Sequence, residues 1–321
     1  QVIHNKRKFP IMSLPKGGWA ITVLLAMLLA VTGCSSRDND QTSTQSAESA
    51  NPAQTIENKG SDTMVNLALA WAETYMKERP SIRISVTGGG SGTGIAAMIN
   101  GTVNLANASR AMKEDEFKQA RDNGITPLEH IVAQDAIAVV VNPANPISRL
   151  TIPQLSDIFS GEITNWKDVG GEDRPIVLLS RESNSGTYVY FLENVIQYDE
   201  SIKGRLFSPD TLLLPSSEGI SSEVRQNPNV IGYDGLGYVT PDQKTVAVAI
   251  AAGEPYVSPS AETVNDGSYP IARPLYMYTA GEPEGEIKEY LDWIWGPEGQ
   301  ELVQGLGFVP YDLADNQGDN G

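Results

Sequence analysis

Two hydrophobic periods alternate along the chain. Ile82, Ile84 and Val86 take the two-residue period of a half-buried strand, and Ile95, Met98 and Ile99 follow at the i, i+3, i+4 spacing of a helix face. Upstream, Met64, Leu67, Ala68, Trp71, Tyr75 and Met76 fall on one helical face that opens behind Gly60-Ser61-Asp62-Thr63 and stops at Pro80. Downstream, residues 103–108 read as a short strand, the stretch from Lys113 to Asn123-Gly124 as a charged helix, and residues 131–141 as the most apolar strand of the chain. Thr151-Ile152-Pro153 opens a helix with a capping hydroxyl and an early proline, and Gly161 closes it. Residues 175–179 are a strand, and Tyr188, Phe191, Leu192, Val195 and Ile196 return to helical spacing. Residues 217–226 read as a helix, 230–233, 246–251 and 271–279 as strands, and 287–295 and 297–304 as closing helices. Strands alternating with helices predict an α/β architecture of two lobes. Asn142-Pro143 breaks the longest strand, which places the first crossing between lobes there.

The junctions between strand and helix carry the chemistry. Residues 87–94 read T-G-G-G-S-G-T-G, so five of eight positions are glycine and the other three bear hydroxyls. Such a turn leaves several backbone N–H groups free beside the positive end of a helix dipole, which makes an anion site out of backbone. A flexible tight turn would look the same in isolation. The design recurs, however, at residues 180–187, S-R-E-S-N-S-G-T, and again at Ser61-Asp62-Thr63, where plain helix capping is the alternative reading. Arg181, in one of these turns, and Arg110, at the end of the short strand 103–108, are candidate guanidinium donors, and a guanidinium grips a tetrahedral oxyanion with two parallel hydrogen bonds. Asp135 sits inside the most apolar strand, where a carboxylate is costly unless it is paired or used.

The first 33 residues are of another kind. Lys6, Arg7, Lys8 and Lys16 precede a 13-residue run, 19–31, that is too short for a membrane span of about 20 residues. It ends in Val31-Thr32-Gly33-Cys34, which predicts a secretory signal over 1–33 and a lipid attached to Cys34, the only cysteine in the chain. Residues 34–56 are mostly Ser, Thr, Asn, Asp and Gln and predict a disordered tether. Beyond residue 33, 19 basic side chains face 40 acidic ones, a net charge of −21 that disfavours nucleic acid and anionic lipid as partners.

Enzyme signatures fail on inspection. Residues 89–94 have the glycine spacing of a phosphate-binding P-loop, but Ile95 stands where Lys is required. Residues 92–97 match a dinucleotide fingerprint without the acidic residue that should follow, and there is no G-x-S-x-G elbow. His130 is the single histidine beyond the leader, so neither a catalytic triad nor a histidine metal site is supported, and no cofactor is implied.

Taken together and in order, G-S-D-T-M (60–64), G-G-G-S-G-T-G (88–94), S-R (109–110), D-A-I-A-V-V-V-N-P (135–143), I-F-S-G-E-I-T-N-W (158–166), R-E-S-N-S-G-T (181–187), Y-P-I-A-R-P-L-Y (269–276) and G-F-V-P-Y (307–311) resemble the phosphate-binding lipoproteins of bacterial phosphate ABC importers. The resemblance covers about 58–311. It implies a type II periplasmic-binding-protein fold, with lobe I formed by 57–141 and 233–321, lobe II by 142–232, two crossover strands, and inorganic phosphate in the cleft. It implies an extracytoplasmic, lipid-anchored, monomeric protein that hands phosphate to a membrane permease. Ser61, Thr63, Met64, Ser91, Ser109, Arg110, Asp135, Arg181, Ser185, Gly186 and Thr187 are the expected contacts. Some relatives carry an aspartate after the serine, where this chain has Arg110. That aspartate accepts the phosphate proton, so Asp135 is the substitute candidate, with a plain salt bridge to Arg110 as its alternative role and Asp62 next in line. Another tetrahedral oxyanion such as sulfate or molybdate, an extracytoplasmic phosphatase, and an adhesive or sensory use of the same fold are the competing readings.

Overall fold

A computed structural model describes residues 54–311. Ten strands, β1 (Gln54–Gly60), β2 (Ile82–Thr87), β3 (Leu105–Ala108), β4 (Leu128–Val141), β5 (Arg149–Thr151), β6 (Val177–Arg181), β7 (Leu212–Leu214), β8 (Val230–Gly235), β9 (Lys244–Ala249) and β10 (Ala272–Thr279), join in one curled sheet. Its order is β2-β1-β3-β10-β4-β8-β6-β7, with β9 pairing both β4 and β5. The helices are α1 (Val65–Glu78), α2 (Ser91–Ile99), α3 (Glu114–Asp122), α4 (Ile152–Ser160), α5 (Gly186–Phe191), α6 (Ser217–Gln226), α7 (Ala261–Asn265), α8 (Gly285–Trp295) and α9 (Pro297–Gly305). Among the described residues no helix is long and apolar enough to cross a membrane.

The long strand β4 is the shared element. Residues 128–136 pair antiparallel with β10, and residues 137–141 pair with β8 on one side while 139–141 pair with β9 on the other. From residue 135 to 141 every side chain is buried, the pattern of a strand covered on both faces. The two largest apolar cores lie along it. Trp71, Tyr75, Leu105, Val132, Leu275 and Ile294 belong to the first, where α1, α8 and α9 cover the sheet. Val139, Leu150, Phe159, Phe191, Tyr233 and Val248 belong to the second, where Phe191 stacks on Tyr233 with centroids 3.8 Å apart.

Local sequence explains the element ends. Thr151 caps α4 in a reciprocal box with Gln154, whose N–H donates to Thr151 Oγ1 at 3.2 Å while Thr151 N–H donates to Gln154 Oε1 at 2.9 Å. Gly161 then stops the helix in the left-handed region at φ 85°.

The sequence expectations need one correction here. The tether expected to run to residue 56 gives way at Gln54 to β1, which lies between β2 and β3 inside the sheet. Its buried face is Ile56, Asn58 and Gly60, so only one apolar residue marked it as a strand. The sequence reading sets the return to lobe I at 233, and past that point the chain visits both cores. The strand β9 runs parallel to β5, and Val246, Val248, Val264, Tyr269 and Ile271 all pack in the second core. Tyr238 reaches the first core just after β8, β9 carries the chain back to the second, and β10 then brings it into the first again. Three short elements, β5, β7 and α7, carry too few residues to show a period. The expected signal segment, Cys34 and the tether up to residue 53 lie outside the described residues.

Candidate anion-binding site

The turns after β1, β3 and β6 and the glycine-rich loop after β2 come together at one point. Gly60 ends β1 at φ +147° with its Cα hard against the Asn107 carbonyl, where an added Cβ would lie 2.1 Å from that oxygen, so only glycine fits. This close approach lets Ser61 N–H donate to Asn107 O at 2.8 Å and aims the next residues at the turn after β3. Ser61 Oγ donates to Ser109 Oγ at 3.0 Å, Ser91 Oγ lies 3.3 Å from the same oxygen, and Ser109 N–H donates to Ser91 Oγ at 2.9 Å. Ser91 is the first residue of α2, so the helix start faces this cluster.

The turn after β6 meets it from the other core. Ser185 Oγ caps α5 by accepting from Thr187 N–H at 3.2 Å, and Thr187 Oγ1 lies 2.7 Å from Thr63 Oγ1. Gly186 packs directly on the serines: a Cβ there would lie 2.4 Å from Ser91 Oγ and 2.6 Å from Ser109 Oγ. Asn184 clasps the glycine-rich loop by accepting from Gly92 N–H at 3.0 Å and donating from Nδ2 to Gly89 O at 2.9 Å.

Two carboxylate–guanidinium pairs flank these hydroxyls. Asp135 on β4 and Arg273 on β10 are register partners, and Arg273 Nε and Nη2 donate to Asp135 Oδ2 at 3.2 and 2.9 Å. Arg273 also donates to Ser109 O at 2.8 Å and to Thr187 Oγ1 at 2.9 Å, so it ties β10 to both turns. Leu236 N–H donates to Asp135 Oδ1 at 3.2 Å. Complete burial pushes the Asp135 carboxyl above its ordinary value, and Arg273 offsets this only in part. The second pair joins Arg181 Nη2 to Asp62 Oδ2 at 3.0 Å, an oxygen that also accepts from Ser217 N–H at 2.8 Å. Arg181 further donates to Ser217 Oγ at 2.7 Å and to the carbonyls of Pro215 and Leu214 at 2.9 and 3.3 Å. Behind it Ser217 Oγ donates to Asp234 Oδ1 at 2.8 Å, and burial pushes the Asp234 carboxyl up to about 7.

Ser61, Thr63, Ser91, Ser109, Asp135, Arg181, Ser185, Gly186 and Thr187 are thus brought together. Met64 puts its side chain in the first core and its N–H on Ser61 O at 3.1 Å. Arg110 departs from expectation. Its guanidinium turns away to grip Glu116 with two bonds of 2.7 and 2.6 Å and donates to Ala111 O at 2.9 Å. The reason is local: Glu116 sits in the first turn of α3, within reach of both Arg110 and the Lys113 N–H. The salt bridge offered as an alternative for Asp135 is therefore made by Arg273, and Arg181 pairs with Asp62. Sequence reasoning passed over Arg273, Ser217, Asp234 and Asn184. Arg273 alone left a signal, a charge within an apolar strand that mirrors Asp135.

The clustered helix starts, hydroxyls and guanidinium groups along one shared strand define a binding protein of the PBP class, and a model of the PBP superfamily domain matches residues 45–298. Within that class the chain belongs to the family of the phosphate-binding protein PstS. It is 35% identical to the Pseudomonas aeruginosa member over 268 residues, covering 78% of this chain and 81% of that protein. It is 32% identical to the Bacillus subtilis member over 293 residues, covering 90% and 92%. Among solved structures it is similar to a transporter substrate-binding protein from Clostridium perfringens with bound phosphate (31% identity, TM-score 0.72, 81% of this chain and 100% of that one). It is also similar to an ABC-type phosphate transport receptor from Vibrio cholerae (27% identity, TM-score 0.64, 80% and 100%).

Proposed function

We propose that this protein captures inorganic phosphate between its two cores and delivers it to an ABC-type phosphate permease. The observation that carries this reading is the meeting of four polar turns with two guanidinium groups in one buried cluster, in a chain whose relatives are phosphate-binding proteins. Arg181 and Arg273 each commit four of their five N–H groups inside the protein and keep one on Nη1. Together with the hydroxyls and helix starts they form a donor-rich shell for a tetrahedral oxyanion.

The protein acts as a carrier: the cluster offers an anion donors from several sides, and its relatives are phosphate-binding proteins. It works outside the cytoplasm as a monomer, held to the membrane by a lipid on Cys34. Discrimination against sulfate requires an acceptor for the phosphate proton. Asp62 is the better placed carboxylate, because Asp135 has bonds on both oxygens. Asp62 Oδ1 accepts none among the described residues and faces Gly88 in the glycine-rich loop.

Calorimetric titration with phosphate, sulfate and molybdate tests the reading. Phosphate is expected to bind at least about 10⁴-fold more tightly than sulfate, the discrimination available to a closed polar site. Equal affinity for the two ions, or heat from molybdate alone, rejects it. Asp62→Asn is expected to weaken phosphate and to admit sulfate. If that variant still refuses sulfate, the proton acceptor lies elsewhere.

A further inference from the structure

One buried carboxyl near the site has no partner charge in contact with it. Asp234 lies on β8 and is 1% exposed. Its two oxygens are treated unequally. Oδ1 accepts from Ser217 Oγ at 2.8 Å and from Gly235 N–H at 2.9 Å, whereas Oδ2 has no partner. Asp135 differs on both counts, with a guanidinium on one oxygen and the Leu236 N–H on the other. A carboxylate ion with a bare oxygen in a dry interior is costly. A carboxylic acid carries its proton on that oxygen, and a neutral O–H without an acceptor is much cheaper to bury than a bare charge, while both donors remain on the other oxygen.

We infer that Asp234 is held as a neutral carboxylic acid behind Arg181, and that its proton keeps the anion site from becoming net negative. The inference rests on the anion-binding reading and deepens it. With Asp62, Asp135 and Asp234 all ionised, three negative charges oppose Arg181 and Arg273. The proton on Asp234 restores the balance. The groups that face it are Arg181 from β6, Asp135 from β4, Tyr238 just beyond β8, and Asp62, which is reached through Ser217 at the start of α6. Burial is the largest influence and raises its proton affinity, Arg181 lowers it, and Asp135 raises it. Ser217 Oγ gives its one proton to Asp234 and accepts from Arg181 Nη1, so Asp234 also positions the arginine.

In the unfolded chain Asp234 loses its proton near about pH 3.9, and in the folded protein it keeps it to about 7. Between those values the folded state binds the extra proton. Its contribution to stability is therefore full below about pH 4 and lost as pH rises to about 7.

The test compares the wild-type full chain with Asp234→Asn, which mimics the neutral acid at every pH. Inorganic phosphate is titrated calorimetrically against both at about pH 6 and about pH 8. The ratio of wild-type to variant affinity is expected to fall about tenfold between them, as for one added charge several ångströms from the anion. The phosphate's own titration cancels in that ratio, and a ratio that does not change overturns the inference. Without phosphate, the unfolding midpoint of the wild type is expected to drop relative to the variant as pH rises from about 4 to about 7. Parallel curves overturn the inference too, and they do so even if neither protein binds phosphate, an outcome that would reject the functional reading alone. Should Asp234→Asn fail to fold, Ser217→Ala removes one donor from Oδ1 and is expected to move the wild-type transition to higher pH. An unmoved transition counts against the inference.

Discussion

The two carboxylate–guanidinium pairs do different work. Asp135 and Arg273 face each other across adjacent strands of one sheet, and their side chains are 0% and 1% exposed. Asp62 and Arg181 come from opposite cores, one in the turn before α1 and the other at the end of β6, and the Asp62 side chain is 18% exposed. The first pair is made by strand register and persists whatever the two cores do relative to each other. The second spans the two cores. One pair is fixed by register, and the other would depend on how the cores meet.

Arg273→Ala should have the largest effect. It strands a fully buried carboxylate and is expected to cost about 3–5 kcal/mol of stability, read by urea unfolding without ligand. A loss under about 1 kcal/mol would mean that Asp135 is neutral in the folded protein and that the contrast is misdrawn. Arg181→Ala strands two carbonyls but leaves Asp62 18% exposed and open to water, so it should cost less stability than Arg273→Ala and weaken phosphate by about 2–5 kcal/mol in calorimetric titration. An unchanged dissociation constant would place Arg181 outside the site. A double-mutant cycle on Asp62 and Arg181 sharpens the contrast, with a coupling of about 1–3 kcal/mol expected in the phosphate-bound protein. The same coupling in unfolding without phosphate would show that the pair is structural after all. Asn184→Ala should have the smallest effect. Loss of the bond to Gly89 O is expected to speed phosphate release by an amount worth about 1 kcal/mol in stopped-flow kinetics.

The same contrast separates what could be read from the sequence from what could not. Asp135 was legible because a carboxylate in an unbroken apolar strand has no bland explanation. Its partner was not, because Arg273 lies 138 residues away and only the register of β4 against β10 brings them face to face. Arg110 misled for the opposite reason. Its position beside Ser109 was right, but a glutamate six residues on captures the side chain. The strand β1 escaped notice because its buried face is Ile56, Asn58 and Gly60, and a pairing strand needs little hydrophobicity when its neighbours on both sides supply it. The path of the chain past residue 233 was hidden for a related reason. An apolar strand such as β9 announces itself as a strand but not which neighbours it will pair with.

Gly186 has a practical consequence. It is the point where the turn after β6 rests on Ser91 and Ser109 with no room for a single carbon atom. A methyl group there would act as a doorstop, since both hydroxyls it meets are held by hydrogen bonds and the Ser109 carbonyl carbon lies only 3.1 Å from the added carbon. Gly186→Ala should therefore trap the molecule ajar. It would provide a decoy that carries every recognition surface of the carrier to its permease but arrives without cargo.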